Sequence, residues 1–525
     1  MTRPSMWDGA IPARPGRCLG FPSWVEAGTR GPRQHDVGGR EHHDERERAD
    51  LMSEPPRNTL GSVTHEFIER VQKWDPSQVL RISDEVNPAD FGVTGVLGAL
   101  EAEGRSPMVL FENPLTVNGE PSPIPVLTNV FASRERCAIA QGLDPSAAGL
   151  DLSLDFSSRE RGALDPVIVP PEQAPVRQVE LIGEDADLGD LPVVRFHKMD
   201  PGPYIDMVCV MKNPEKDSYN SAFLRNMLQG PRQVGIHMSP RHNWRFCRTN
   251  ERENRPTPVA IVVSHDPSFY LGALNVRPYG DNDYEVIGSI MGEPLRLTPS
   301  ATLGDDFMIP ADADIVVEGR VLPNKRQVEA PFGEFPGYYG PQRRNWVIEV
   351  SGIVRREKPV FQAIFVGHKD NWVLGSIPKE GALFSRIRGV VPGVTAVHLP
   401  DSGCGRFHCY ISIDKRVDGE SRQAALIALG EIDFVKHVVV VDADIDVFQE
   451  EQVVWAIATR IQASRDIDII KNAKGNTLDP SQIDDIMTDK LIIDATKPVS
   501  RPFAKRVEVP EEALTKGRAI LESLK

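Results

Sequence analysis

The chain has 525 residues, a net charge of −15 and 40% hydrophobic residues. That length suits about three domains with cores large enough to fold without staples, and an acidic balance with no basic stripe argues against nucleic-acid binding. No apolar run approaches the roughly 20 residues of a membrane span, and six cysteines scattered through so long a chain suit a reducing, cytoplasmic compartment.

The first fifty residues are rich in Arg, Gly, Pro and His and poor in aliphatics. Such a segment cannot bury enough apolar surface to order itself, so residues 1–57 read as a disordered extension with Met52 as the natural start. Asp8, Glu26 and the acidic run near Asp44 speak against a cleaved targeting peptide. From Thr59 the pattern turns globular. Phe67, Ile68 and Val71 fall at helical spacing, Val79 to Ile82 reads as a strand, and a helix (Val93 to Glu103), two strands (Met108 to Phe111, Val126 to Phe131) and a helix (Glu135 to Gly142) follow. These make an N-terminal α/β domain over 58–178, closed by the Pro-rich connection Asp165 to Pro175. Residues 179–366 are strand-rich: Tyr204 to Met211, Val259 to Ser264, Ile315 to Val321, Trp346 to Val354 and Pro359 to Val366 suit a barrel-like sheet. Residues 367–495 mix helix and strand patterns as a second α/β domain. In 496–525, Glu511 to Leu524 reads as an amphipathic helix that could cross to a partner subunit.

Chemistry concentrates in Glu329-Ala330-Pro331-Phe332-Gly333-Glu334. Two carboxylates stand five residues apart on a backbone that cannot be regular, since Pro331 lacks an amide hydrogen and Gly333 opens conformations closed to other residues. Held close, they push each other's pKa apart, and one can stay protonated near neutral pH as a general acid. Two solvated glutamates are the plain alternative. Asn220, His242 and Glu285 offer an amide oxygen, an imidazole nitrogen and a carboxylate, donors that suit Mn2+ or Mg2+, although spacing does not join them. Cys404, His408 and Cys409 match no common zinc pattern and read as a packed strand end. Asp442, Asp444 and Asp446 read as strand-end aspartates on one face. His368 to Trp372 reads as a solvated turn, with pocket lining as the alternative. Neither a Gly-x-Gly-x-x-Gly after a strand nor a Walker sequence occurs, which disfavours a dinucleotide or ATP enzyme.

Several segments together resemble the UbiD family of decarboxylases. They are Leu110-Phe111-Glu112-Asn113-Pro114, Ile124-Pro125-Val126, Ser133-Arg134-Glu135-Arg136, Tyr219 to Arg225, Pro258-Val259-Ala260-Ile261, Glu329 to Glu334 with Gly337-Tyr338-Tyr339, and Lys436 to Asp446. They stand in the family's order over roughly residues 58–495. The resemblance implies a multidomain α+β and α/β fold whose central split β-barrel binds prenylated FMN, between an N-terminal α/β domain and a C-terminal α/β domain with its terminal helix. The implied activity is reversible, non-oxidative decarboxylation of an aromatic, heteroaromatic or α,β-unsaturated carboxylic acid through a covalent adduct with that cofactor. A carboxylate leaving an sp2 carbon would otherwise leave a carbanion no side chain can support.

By the same resemblance Glu334 is the proton donor, and Arg225 and Glu329 complete a Glu-Arg-Glu network. Asn220, Ser221, Ala222, Phe223, Leu224, Arg225, Arg241, His242, Glu285 and Lys436 would hold the cofactor, Lys436 as a phosphate contact. Asn220, His242 and Glu285 would ligate Mn2+ (or Mg2+), with K+ near the phosphate. Arg241 stands where some relatives have glutamine, and Phe335 places a ring directly after the donor. The implied partners are a small-molecule carboxylic acid, a flavin prenyltransferase as cofactor supplier, and further copies of the chain in a homodimer or larger assembly. Two other classes remain open: a flavin carrier without decarboxylase activity, and a metal-dependent hydrolase using Glu285 and His242.

Overall fold

A computed structural model describes residues 62–482 and 486–524. The expected extension 1–57 lies outside the described residues. The first described helix, Val63–Trp74, opens on Ser62, whose hydroxyl accepts from the His65 amide, and turns Phe67, Ile68 and Val71 inward. It lies in the same core as a four-stranded sheet ordered Val79–Val86, Met108–Pro114, Val126–Thr128, Phe361–Gln362. The last of these strands differs from the expectation. Only Phe361–Gln362 of the run Pro359 to Val366 is extended, and it pairs in parallel with Val126 and Leu127 rather than joining the central sheet. Val360 to Phe365 are all buried, so the run carries no alternation that could show which sheet it serves.

The central sheet has nine antiparallel strands, eight in one path and a ninth beside it. Its order is Tyr204–Ile205, Asn226–Gly230, Gln233–Ile236, Arg343–Arg355, Ile315–Glu329, Thr257–Ser264, Val208–Lys212, Tyr219–Phe223, with Val179–Ile182 paired to Arg343–Arg355. The expected single strand Tyr204 to Met211 is two strands, broken at Asp206 and Met207. The strand Ile315–Glu329 runs 15 residues beside Arg343–Arg355, with register shifts at Glu318/Gly319 and Val321/Arg326. Gly319 permits the first of these, because a β-carbon there would stand 2.6 Å from the Glu349 carbonyl oxygen. The strand ends with Glu329 opposite Arg343.

A five-stranded mixed sheet follows, ordered Val394–His398, His408–Ile413, His437–Asp442, Met487–Ala495, Ile467–Lys474. The 20-residue helix Lys369–Arg388 joins the two halves of the molecule. Val373, Leu374 and Ile377 belong to the large core shared by the first two sheets, and Leu383, Phe384 and Ile387 to the core of the third. The segment His368 to Trp372, expected as a solvated turn, is the start of this helix. Buried Asp370 there accepts from the amides of Phe131 and Phe365. Arg460 bridges Asp442 and Asp444, so these acids are neutralised by an arginine. The helix Glu511–Glu522 forms with none of its residues buried. No helix among the described residues is long and apolar enough to cross a membrane.

Candidate active site

The central sheet brings Arg225, Glu329 and Glu334 together. Arg225 sits between the strands Tyr219–Phe223 and Asn226–Gly230, and Glu329 closes the long strand. Ala330 then takes a left-handed φ of 77°, a conformation that costs a residue with a side chain and persists only where its surroundings fix it. The chain turns into a small hairpin, with Phe332 and Gly333 facing Gly340 and Tyr339. The Glu334 amide donates to the Tyr338 carbonyl at 2.9 Å. Two glycines make the hairpin fit. A β-carbon on Gly333 would lie 2.2 Å from His197 Nδ1, and one on Gly340 would lie 2.9 Å from Glu334 Oε1.

Arg225 holds Glu329 with two parallel bonds, Nε to Oε1 and Nη2 to Oε2, both 2.9 Å. Its Nη1 donates to Glu334 Oε1. The guanidinium lies 5.2 Å over the Phe332 ring. Glu329 is fully buried and takes a further bond from Asn345 Nδ2 at 2.8 Å, while Glu334 keeps 14% of its side chain exposed. The network is therefore anchored at Glu329 and open at Glu334. Burial, then Arg225 and Arg343, push the His237 imidazole down to about 4, so it is neutral beside the network. Burial, then Asp200, push the Asp206 carboxyl well up against the opposing pull of Arg225, and neither of its oxygens has a hydrogen-bond partner.

A second group forms around the start of the helix His242–Arg252. His242 Nδ1 stands 2.9 Å from Asn220 Oδ1, and the Asn220 amide nitrogen donates to Asn243, which turns the oxygen toward the imidazole. Partial burial, then Arg241 and Arg245, lower the His242 pKa and favour the neutral ring a metal needs. Ser221 donates its amide and hydroxyl to Asp283, whose carboxyl burial pushes up to about 6. Ala222 and Phe223 pair with Cys209 and Val208, and the Leu224 amide donates to Met207. Glu285 lies on the neighbouring helix Asp283–Met291, with its carboxylate accepting from Asn282 at 3.0 Å. Thus two of the three expected metal donors converge, and the third is turned to Asn282. Among the described residues no cluster of three or more His, Cys, Asp or Glu side chains forms a metal-holding group. Lys436 is committed elsewhere, paired with Asp479 at 2.8 Å and bonded to Ser481 in the third domain.

The donor chemistry nonetheless fits a flavin phosphate and a divalent ion at this end. The helix His242–Arg252 begins at Arg241 with no side-chain cap, so no capping side chain takes its first amides. Composition gave no signal for several neighbours. His197 stacks on Phe365 and His368, Trp372 donates its indole N–H to the Phe335 carbonyl at 2.7 Å, and Arg406 lies 4.6 Å over the Phe335 ring. A separate cleft of about 850 Å3, lined by Arg105, Arg134, Lys369 and His398, includes none of Arg225, Glu329 and Glu334.

Models of the 3-octaprenyl-4-hydroxybenzoate carboxy-lyase domains match this chain three times: the N-terminal domain over 72–153, the Rift-related domain over 167–369 and the C-terminal domain over 373–495. A phenolic acid decarboxylase of Sedimentibacter hydroxybenzoicus is 31% identical over 449 residues, covering 83% of this chain and 91% of the relative. Among solved structures, the UbiD-class enzyme HmfF of Pelotomaculum thermopropionicum in complex with FMN matches with a TM-score of 0.80 at 33% identity, covering 86% of this chain and 98% of that one. An evolved dimeric form of that enzyme in complex with prFMN matches with a TM-score of 0.76 at 31% identity, over 86% of this chain and 98% of that one.

Proposed function

This chain belongs to the UbiD family and is a carboxy-lyase, and on that footing we propose that it decarboxylates an aromatic, heteroaromatic or α,β-unsaturated acid with the Arg225–Glu329–Glu334 network as its proton-handling centre. The observation that carries this reading is the asymmetry of the network. Glu329 is buried and gripped on two prongs, while Glu334 shares the outer edge of the same guanidinium and remains partly open. A carrier or assembly protein would need the phosphate end but no such relay.

The two bonds to Glu329 fix the plane of Arg225 and keep its charge in place for the substrate carboxylate. Prenylated FMN, when bound, supplies the electron sink that loss of CO2 from an sp2 carbon requires. Arg241 and the uncapped helix start at His242 would hold its phosphate, and Asn220 and His242 would ligate Mn2+ or Mg2+, joined by Glu285 once it leaves Asn282. After CO2 departs, Glu334 delivers a proton to the vacated carbon and recovers one from solvent through its exposed edge. Arg225 contacts both carboxylates, so one guanidinium links the buried anchor to the partly open donor. The same steps reversed would carboxylate at high bicarbonate.

The exposed helix Glu511–Glu522 offers Leu514 and Leu521 for packing on a second copy of the chain. The test is co-production with a flavin prenyltransferase in the presence of Mn2+ and K+, followed by absorbance, intact cofactor mass and CO2 release from an aromatic-acid panel. Bound prenylated flavin with CO2 release supports the proposal; protein that takes up no flavin refutes it.

A further inference from the structure

Two strands and a helix start meet around Asn220, and hydrogen-bond polarity runs through them in one direction. Asn220 lies on Tyr219–Phe223, the strand that ends the path of the central sheet, and Cys209 lies on its neighbour Val208–Lys212. His242 and Asn243 are the first two residues of the helix His242–Arg252. Asn243 is buried between the two strands' groups. Its Nδ2 donates to the Cys209 carbonyl at 3.3 Å, and its Oδ1 accepts from Asn220 Nδ2 at 2.9 Å.

The chemistry of the partners sets the direction of both amides. A backbone carbonyl only accepts, so the nitrogen end of Asn243 must face Cys209 and its oxygen end must face Asn220. That oxygen also only accepts, so the nitrogen end of Asn220 faces Asn243, and the Asn220 oxygen is the end left for His242 Nδ1, 2.9 Å away. The Asn220 nitrogen reaches the Ser221 carbonyl as well, at 3.3 Å, a longer contact that favours the same orientation. Turned over, Asn220 would set its oxygen against the oxygens of Asn243 and Ser221 and offer amide hydrogens beside His242. A hard divalent cation is bound by the oxygen and repelled by those hydrogens.

We propose that Asn243 is a positioning residue of the divalent-ion site: it carries the polarity of the Cys209 carbonyl to Asn220 and so fixes which end of that amide meets the ion. This rests on the reading of Asn220 and His242 as metal ligands. Asn243 acts through Asn220 and is not itself a ligand. One helix start thus supplies both the imidazole donor and the group that orients the amide donor on the facing strand.

The test is a double-mutant cycle read by Mn2+ affinity rather than by turnover. Flavin-loaded protein is titrated with Mn2+, and the free ion is followed by EPR. Asn243→Leu removes the acceptor that holds the Asn220 nitrogen and should weaken Mn2+ binding about 10- to 100-fold. In an Asn220→Asp background both ends of the side chain are oxygens, so turning it over changes nothing, and adding Asn243→Leu should weaken binding by no more than about 3-fold. Asn243→Ala is carried through the same cycle, should leucine unfold the helix start. An equal loss in both backgrounds overturns the proposal, because Asn243 would then support the fold around the site and not the direction of the amide. So does Mn2+ binding that Asn220→Ala weakens and Asn243→Leu leaves unchanged. Wild-type protein that binds no Mn2+, or binding that Asn220→Ala leaves unchanged, refutes the ligand reading itself and the assignment of Asn243 with it.

Discussion

Glu380→Gln tests how the helix that carries Trp372, Gly375 and Lys379 is held. Glu380 is fully buried and takes both prongs of Arg134, at 3.2 and 2.9 Å, together with His398 at 2.8 Å, Ser153 at 2.6 Å and the Leu399 amide at 3.0 Å. Burial alone would raise its pKa, but Arg134 and His398, with the hydrogen bonds, win and bring it from 4.5 down to about 2. That difference corresponds to about 3 kcal/mol of preference for the charged form in the folded protein. A glutamine keeps the volume and loses the charge, leaving Arg134 with an uncompensated guanidinium, for which removal of one partner of a buried pair costs about 3–5 kcal/mol. Because the folded pKa is the lower one, the stabilisation is complete above the unfolded value of 4.5 and is lost as pH falls from there toward about 2. A chain of several domains need not unfold in one step, so the assay is amide hydrogen exchange across Lys369–Arg388, with thermal unfolding beside it. Protection in that helix should drop by the equivalent of about 3–5 kcal/mol at pH 7, and the variant should lose the steep acid sensitivity of the wild type between pH 4.5 and 3. A variant within about 1 kcal/mol of wild type at pH 7 would refute the reasoning.

Arg225→Lys removes the two-pronged grip on Glu329 while keeping the charge, and kcat/KM per bound flavin should fall about 100- to 1000-fold. Asn220→Ala and His242→Ala should each weaken Mn2+ retention at least about 10-fold, read by manganese EPR after desalting; unchanged retention would remove them from the metal site. Gly381→Ala would set a β-carbon 2.0 Å from the Ser153 carbonyl oxygen, where two helices touch, and should destabilise by about 2–4 kcal/mol in thermal unfolding. Gly430→Ala is its control, with nothing within 4 Å of the new carbon, and should be neutral or stabilising by up to about 1 kcal/mol.

The hexapeptide Glu329 to Glu334 was legible because proline and glycine mark an irregular backbone and the two acids share it. What it could not give was Arg225, 104 residues upstream of Glu329, which only a resemblance or the sheet itself brings there. The helix Lys369–Arg388 was hidden for the opposite reason. Pro378, Gly375 and Gly381 look like breakers, yet each glycine is a point of close approach that a β-carbon would obstruct, by Arg406 at one and the Ser153 carbonyl at the other. Pro359 to Val366 was read as strand but placed in the wrong sheet, because a run buried on all sides has no period. Lys436 beside an apolar run carried no local mark of its partner, and the fold gives it Asp479 and Ser481.

The central claim is that Glu334 delivers the proton that replaces CO2. Its most direct test is the rate of CO2 release per bound prenylated flavin in wild type and Glu334→Gln, on the acid the wild type turns over fastest. Glutamine keeps the shape and the bond from Arg225 but has no acidic proton, so the rate should fall about 100- to 10,000-fold. A Glu334→Gln enzyme that releases CO2 within a few-fold of the wild-type rate, with solvent hydrogen still placed on the product carbon, would contradict the account.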